Sequence, residues 1–121
     1  MRSAWISYHG KKILRQNFSG IDLDRSELIE EELMAVQEIV VAEPENSVLI
    51  LADFSGTTIG KDLMDAMQTS SAKTKNHVRK TAVLGVTGTK RILANMLMSM
   101  TGQKLVMFTD EEEAKQWLIK D

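Results

Sequence analysis

Asp53, Ser55, Thr57 and Thr58 surround Gly56 in the hexapeptide Asp-Phe-Ser-Gly-Thr-Thr, at the end of the apolar run SVLILADF over residues 47–54. A carboxylate in that position can accept a proton or orient a ligand. The neighbouring hydroxyls are candidates for phosphorylation, which would add close to two negative charges and three strong acceptors. Ser, Thr and Gly are also ordinary turn residues and helix caps, so a purely structural role stays open. The second candidate is Thr87-Gly88-Thr89-Lys90-Arg91, where an apolar run gives way to an amphipathic stretch. Free amides at a helix start, the helix dipole and two cations are the components of an anion site. The same residues equally make a plain cap and a close turn. The pattern is neither a Walker loop, which needs a longer span between its glycines, nor G-x-G-x-x-G. Asp53, Asp62 and Asp65 could converge for acid–base work, but no spacing singles out a pair. Histidine catalysis is not expected, since His9 falls in a turn, His77 at a helix end, and no serine stands in G-x-S-x-G. With no cysteine in the chain, thiol nucleophiles, disulfides and Cys-based zinc sites are excluded. No metal or cofactor is expected.

The elements that must position these residues follow from apolar periodicity. Trp5, Ile6 and Tyr8, then Ile13 and Leu14, flank His9-Gly10 and predict two short strands joined by a tight turn. Asp24 and Glu27 have capping-box spacing ahead of Ile29, Leu33, Val36 and Val40, which share one helical face. That helix is expected over 25–42, ending before Pro44. The run at 47–54 reads as a strand covered on both faces. Leu63, Ala66, Met67, Ser70 and Thr74 continue at helical spacing to a helix end near His77, and TAVLGV at 81–86 is the next buried strand. Ile92, Leu93, Met96, Leu97 and Met100 form a third helical stripe closed by Gly102. Residues 104–108 are the last strand. Asp110 and Glu113 repeat the capping box ahead of Ala114, Trp117 and Leu118. Strands alternating with helices predict parallel pairing, with the first strand antiparallel at an edge.

Composition narrows the function classes. A chain of 121 residues with a formal charge of −2 is one domain with no overall field to draw it to nucleic acid or an anionic membrane. No apolar run approaches the length of a membrane span, and the start of the chain lacks a signal-peptide core, so a soluble cytoplasmic protein is expected. Glu30, Glu31, Glu32 and Glu38 are expected to lie largely on a solvated helix face, as is the basic segment Lys73, Lys75, His77, Arg79 and Lys80. That basic segment has no interleaved aromatic residues, so the single-strand nucleic-acid pattern is missing. Eight methionines against six aromatics are suited to core filling or to an adaptable binding surface, and a homodimer through the Met-rich helix stays open.

YHGKKILRQNFSG at 8–20, LILADFSGT at 49–57, VRKTAVLGVTGTKRILANML at 78–97 and FTDEEEAKQWL at 108–118 together resemble the SpoIIAA-like family. These are small domains related to STAS (sulfate transporter and anti-sigma factor antagonist) domains and to the CRAL-TRIO lipid-binding fold. The resemblance implies an α/β SpoIIAA-like (STAS) fold over 1–121, with a mixed, mostly parallel sheet of about five strands and about four helices. It implies a non-enzymatic, regulatory, protein-binding module. The implied contact surface is the loop after the central strand and the head of the third helix: Asp53, Ser55, Gly56, Thr57, Thr58, Asp62, Thr87, Gly88, Thr89 and Lys90. STAS antagonists carry a phosphorylatable Ser in Asp-Ser-Ser-Gly, a motif that falls near Gly60-Lys61-Asp62-Leu63 here and puts Asp62 in its place. This departure speaks against an ordinary kinase-controlled switch. Either the carboxylate imitates a standing phosphate, or the match is displaced and Ser55 or Thr58 takes the role. The CRAL-TRIO side implies the alternative, a carrier or sensor of a small apolar or phosphorylated ligand. Its apolar cleft would be lined by Met64, Met67, Met96 and Met100, with Met98 facing away.

Overall fold

The computed structural model describes residues 2–20, 26–57, 61–85 and 105–120. The chain opens with a hairpin of β1 (Ala4–Tyr8) and β2 (Lys11–Asn17). Tyr8 pairs with Lys11, leaving His9 and Gly10 as a two-residue loop with φ of 48° and 81°. Positive φ at both loop residues matches the right-handed twist of the flanking strands. There follow α1 (Ser26–Val41), β3 (Val48–Asp53), α2 (Lys61–Thr74), β4 (Val78–Leu84), β5 (Leu105–Phe108) and α3 (Glu111–Ile119). Asp110 caps α3 by accepting from the Glu113 N–H at 3.3 Å, as its spacing predicts. Asp24 and the expected helix over the Ile92–Met100 stripe lie outside the described residues.

The five strands form one sheet in the order β1-β2-β3-β4-β5, with β1 antiparallel at the edge and every other pair parallel. Each crossover advances by one strand in the same direction, and crossovers of one hand place their helices on one face. α1 and α2 accordingly pack together, against a core of Leu14, Phe18, Ile50, Ala52, Val83 and the α1 stripe Ile29, Leu33, Val36 and Val40. α3 covers the opposite face through Ala114 and Leu118, packed on Ile13, Leu49, Leu51, Ala82 and Leu84. Alternate residues of β3 thus feed two different cores, the physical reason for its unbroken apolar run.

Four expectations are corrected, two of element bounds and two of burial. The second helix ends at Thr74 rather than near His77, where the His77 N–H turns back to the Thr74 carbonyl at 2.9 Å. β4 begins at Val78, three residues before the apolar run, because Lys80 belongs to the strand and is buried. Its ammonium donates to the Trp117 and Lys120 carbonyls at 2.9 and 2.6 Å and stands 4.9 Å from the Trp117 ring centre, at the C-terminus of α3. Buried there, it takes the place a cation favours at the negative end of a helix dipole.

Glu32 is likewise not on the solvated face. It is 5% exposed and accepts from the Arg2 N–H at 3.0 Å and the Ser3 N–H at 2.6 Å, tying the edge strand to α1. Burial alone would raise its pKa, but hydrogen bonds from Ser3 and the Arg2 amide outweigh it and hold the carboxyl below its ordinary value. Glu32→Ala leaves those amides without their acceptor and is expected to cost about 1–3 kcal/mol, read as a lowered urea midpoint at neutral pH. A midpoint unchanged within error would show that the contact contributes nothing net.

Candidate functional site

The carboxyl ends of the parallel strands bring together residues far apart in sequence. Arg15 and Asp53 project from the α3 face of β2 and β3, while Glu111 opens α3 itself. One terminal nitrogen of Arg15 donates to Asp53 Oδ2 at 3.1 Å and to Glu111 Oε1 at 2.7 Å, and Lys115 reaches Glu111 Oε2 at 3.0 Å. The Ser55 N–H donates to Asp53 Oδ1 at 2.9 Å. Burial pushes the Asp53 pKa up, but the Ser55 and Arg15 hydrogen bonds together outweigh it, so the carboxyl is held below its ordinary value. Glu111 is also lowered, first by its hydrogen bond from Arg15, against the opposing effect of burial. These donors favour the ionised form of Asp53.

The loop carrying Ser55 and Gly56 is clamped from both sides. Toward β2, the Phe18 N–H donates to the Asp53 carbonyl at 2.9 Å and the Gly20 N–H to the Ser55 carbonyl at 2.8 Å. Thr57 is buried, and its hydroxyl donates to the Phe18 carbonyl. The Phe18 and Phe54 rings stack with centroids 5.1 Å apart. Toward β4, the Phe54 N–H donates to the Leu84 carbonyl at 2.9 Å, and Gly85 lies directly against Ser55. Gly85 has φ of +77°, and a Cβ there would stand 2.5 Å from the Ser55 nitrogen and 2.6 Å from its Cα. Only glycine meets both requirements. Ser55 and Gly56 themselves remain exposed.

These strand ends enclose a cleft of about 280 Å³ between Asp53, Ser55, Gly85, Phe108, Thr109 and Glu111. Open α/β sheets bind ligands and partners at such carboxyl ends. Of the residues singled out from sequence, Asp53 and Ser55 line this cleft, Gly56 forms the loop tip and Thr57 points inward as an anchor. Asp62 and Met64 fall in the first turn of α2, and Met67 packs against the core beneath that helix. Thr58, Thr87, Gly88, Thr89, Lys90, Met96 and Met100 lie outside the described residues. Sequence reasoning missed Arg15 and Glu111. Neither carried a local signal, since Arg15 is one of five polar residues on β2 and Glu111 one of three acidic residues opening α3. Among the described residues no cluster of three or more His, Asp or Glu is arranged to hold a metal ion, and no helix is long and apolar enough to cross a membrane.

A five-stranded mixed sheet with, among the described residues, two helices on one face, a third on the other and a clamped loop at the central strand's carboxyl end defines a small α/β domain of the SpoIIAA-like fold. The SpoIIAA-like family matches residues 21–119, and the chain belongs to that family. Among solved structures it is similar to an uncharacterized protein with a SpoIIAA-like fold from Shewanella loihica PV-4. The TM-score is 0.73 at 11% identity, over 96% of this chain and 91% of that one. At that identity the likeness establishes the fold alone. No curated protein matches the sequence.

Proposed function

We propose that this chain is a non-enzymatic regulatory module of STAS type that acts by binding another protein, through the loop after the central strand and the head of the third expected helix. The observation that carries this reading is the clamped loop. Ser55 and Gly56 are presented to solvent on a backbone fixed from β2 and β4, beside a carboxylate whose charge is locked by Arg15. A surface held rigid before binding loses little conformational entropy on association. The family resemblance supports the same loop, since it matches Asp62 to the phosphorylated Ser of STAS antagonists, with Ser55 or Thr58 as the alternative match.

Partner capture from the host's own extract tests this, comparing the unaltered protein with Ser55→Arg and Asp62→Lys. Both variants are expected to keep the circular dichroism spectrum and lose the same captured protein. Retention of that protein by both variants would remove this surface from consideration.

A further inference from the structure

A second concavity lies between α1 and α2, away from the strand-end cleft. It measures about 570 Å³ and follows residues 30–38 of α1 and 65–73 of α2, a little over two turns of each helix. Both helices connect parallel strands and run in the same direction, so Glu30 and Asp65 mark one end, Glu38 and Lys73 the other. Leu33, Met34 and Ala66 give it an apolar strip toward the Glu30–Asp65 end, and Gln37, Thr69 and Ser70 continue the lining toward Glu38 and Lys73. Met34 is 69% exposed, the most exposed of the large apolar side chains among the described residues. Glu30, Glu38, Asp65 and Lys73 form no ion pair with another described residue. α1 carries Glu27, Glu30, Glu31, Glu32 and Glu38 with no Lys or Arg, and only Glu32 turns inward to bonds of its own.

The charges decide what covers this groove. Two copies related by a two-fold axis across it would set the Glu30–Asp65 end of one against the Glu38–Lys73 end of the other. Each end would then gather three carboxylates around one ammonium. Juxtaposing like charges at an interface is unfavourable, so a second copy does not suit it. A cationic partner does.

We propose that this groove receives an amphipathic helix of another protein, with an apolar side chain seated against Leu33, Met34 and Ala66 and Lys or Arg side chains reaching Glu30, Asp65 and Glu38. An amphipathic helix in an apolar groove is anchored by residues on one face, while the flanking charges set partner choice and association rate. This surface is separate from the strand-end loop, and its occupation does not depend on the reading given for that loop.

A synthetic Lys/Leu amphipathic peptide of about 18 residues is the probe, with a Glu/Leu peptide of the same apolar face as its control. The Lys/Leu peptide is expected to bind and to shift backbone amide resonances at 30–38 and 65–73, while the Glu/Leu peptide does not bind. Glu30→Lys with Asp65→Lys is expected to weaken binding about tenfold, since it reverses two exposed pairings. Glu45→Lys with Glu113→Lys makes the same change in net charge away from the groove and is expected to alter affinity less than about twofold. Equal weakening by the two double variants would reduce the effect to overall charge and overturn the proposal. Shifts confined to other residues, absence of binding, or a dimer in sedimentation that Met34→Asp dissociates would each overturn it as well.

Discussion

Gly85→Ala is expected to displace the loop at 53–57 and lower stability by more than the roughly 1–2 kcal/mol that a left-handed conformation alone costs a side-chain-bearing residue. The excess comes from the contact at Ser55. The new Cβ would stand 2.5 Å from the Ser55 nitrogen and 2.6 Å from its Cα, so backbone rather than a flexible side chain must give way. Moving Ser55 strains the bonds anchored on it, the Gly20 N–H to the Ser55 carbonyl and the Ser55 N–H to Asp53. Denaturant unfolding should show the loss, and amide hydrogen exchange should place it, with protection falling first at Ser55, Thr57 and Gly20. If Gly85→Ala unfolds at the same denaturant concentration, the close approach of Gly85 to the loop is not a constraint on this fold. A variant too unstable to purify would leave Ser55→Gly as the second measurement. That change removes the facing hydroxyl and is expected to relieve part of the Gly85→Ala loss when the two are combined.

Arg15→Met is the second large effect, because one guanidinium serves two carboxylates. The methionine keeps the length of the stem but leaves Asp53 and Glu111 without their shared partner, and a cost of about 1–3 kcal/mol at neutral pH is expected for these partly buried groups. The pH dependence separates this from lost packing. Asp53 and Glu111 have folded-state pKa values below the ordinary carboxylate range. Their contribution is therefore present in full above the unfolded carboxylate values near 4 and is lost as pH falls through the folded ones. The stability difference between the unaltered protein and Arg15→Met should accordingly be constant from about pH 7 to 5 and narrow below about pH 4. A difference that stays constant to pH 3 would mean that the salt bridges contribute nothing and that Arg15 acts through its stem alone. Loss of the Arg15 bridge should also loosen the start of α3 against the cleft, visible as faster exchange at Glu113 and Ala114.

The elements were legible wherever local physics dictated them. The α1 stripe of Ile29, Leu33, Val36 and Val40 is a helix because its 4, 3, 4 spacing leaves one apolar face to bury, and all four residues are buried. His9-Gly10 is a turn because glycine adopts positive φ freely, and Asp110 caps α3 because a carboxylate three residues before an amide reaches it. β3 had to lie inside a two-sided sheet, since five consecutive apolar residues cannot all face one core. Sequence reasoning failed where polar residues are buried. Lys80 and Glu32 read as solvated by type, yet the partners that make their burial affordable are carbonyls at residues 117 and 120 and amides at residues 2 and 3. No local pattern reports a hydrogen bond formed across about 30 or 40 residues of chain.

The same division runs through the candidate site. The loop of Asp53, Ser55, Gly56 and Thr57, and the family resemblance around it, could be read from the order of residues alone, because turn chemistry at a strand end is local. Which of those residues face outward could not: Thr57 turned inward to the Phe18 carbonyl because the 18–20 segment, just past the end of β2, lies beside it. Arg15 and Glu111 stand 96 residues apart and became neighbours only when β2, β3 and α3 were brought to one face of one sheet. By itself the sequence determined the element types, the alternation that makes the sheet mostly parallel, and the family. The tertiary structure decided strand order, the charge network that holds Asp53 ionised and the pressure of Gly85 on Ser55. Register and packing set those distances between residues far apart in the chain, and periodicity carries no record of them.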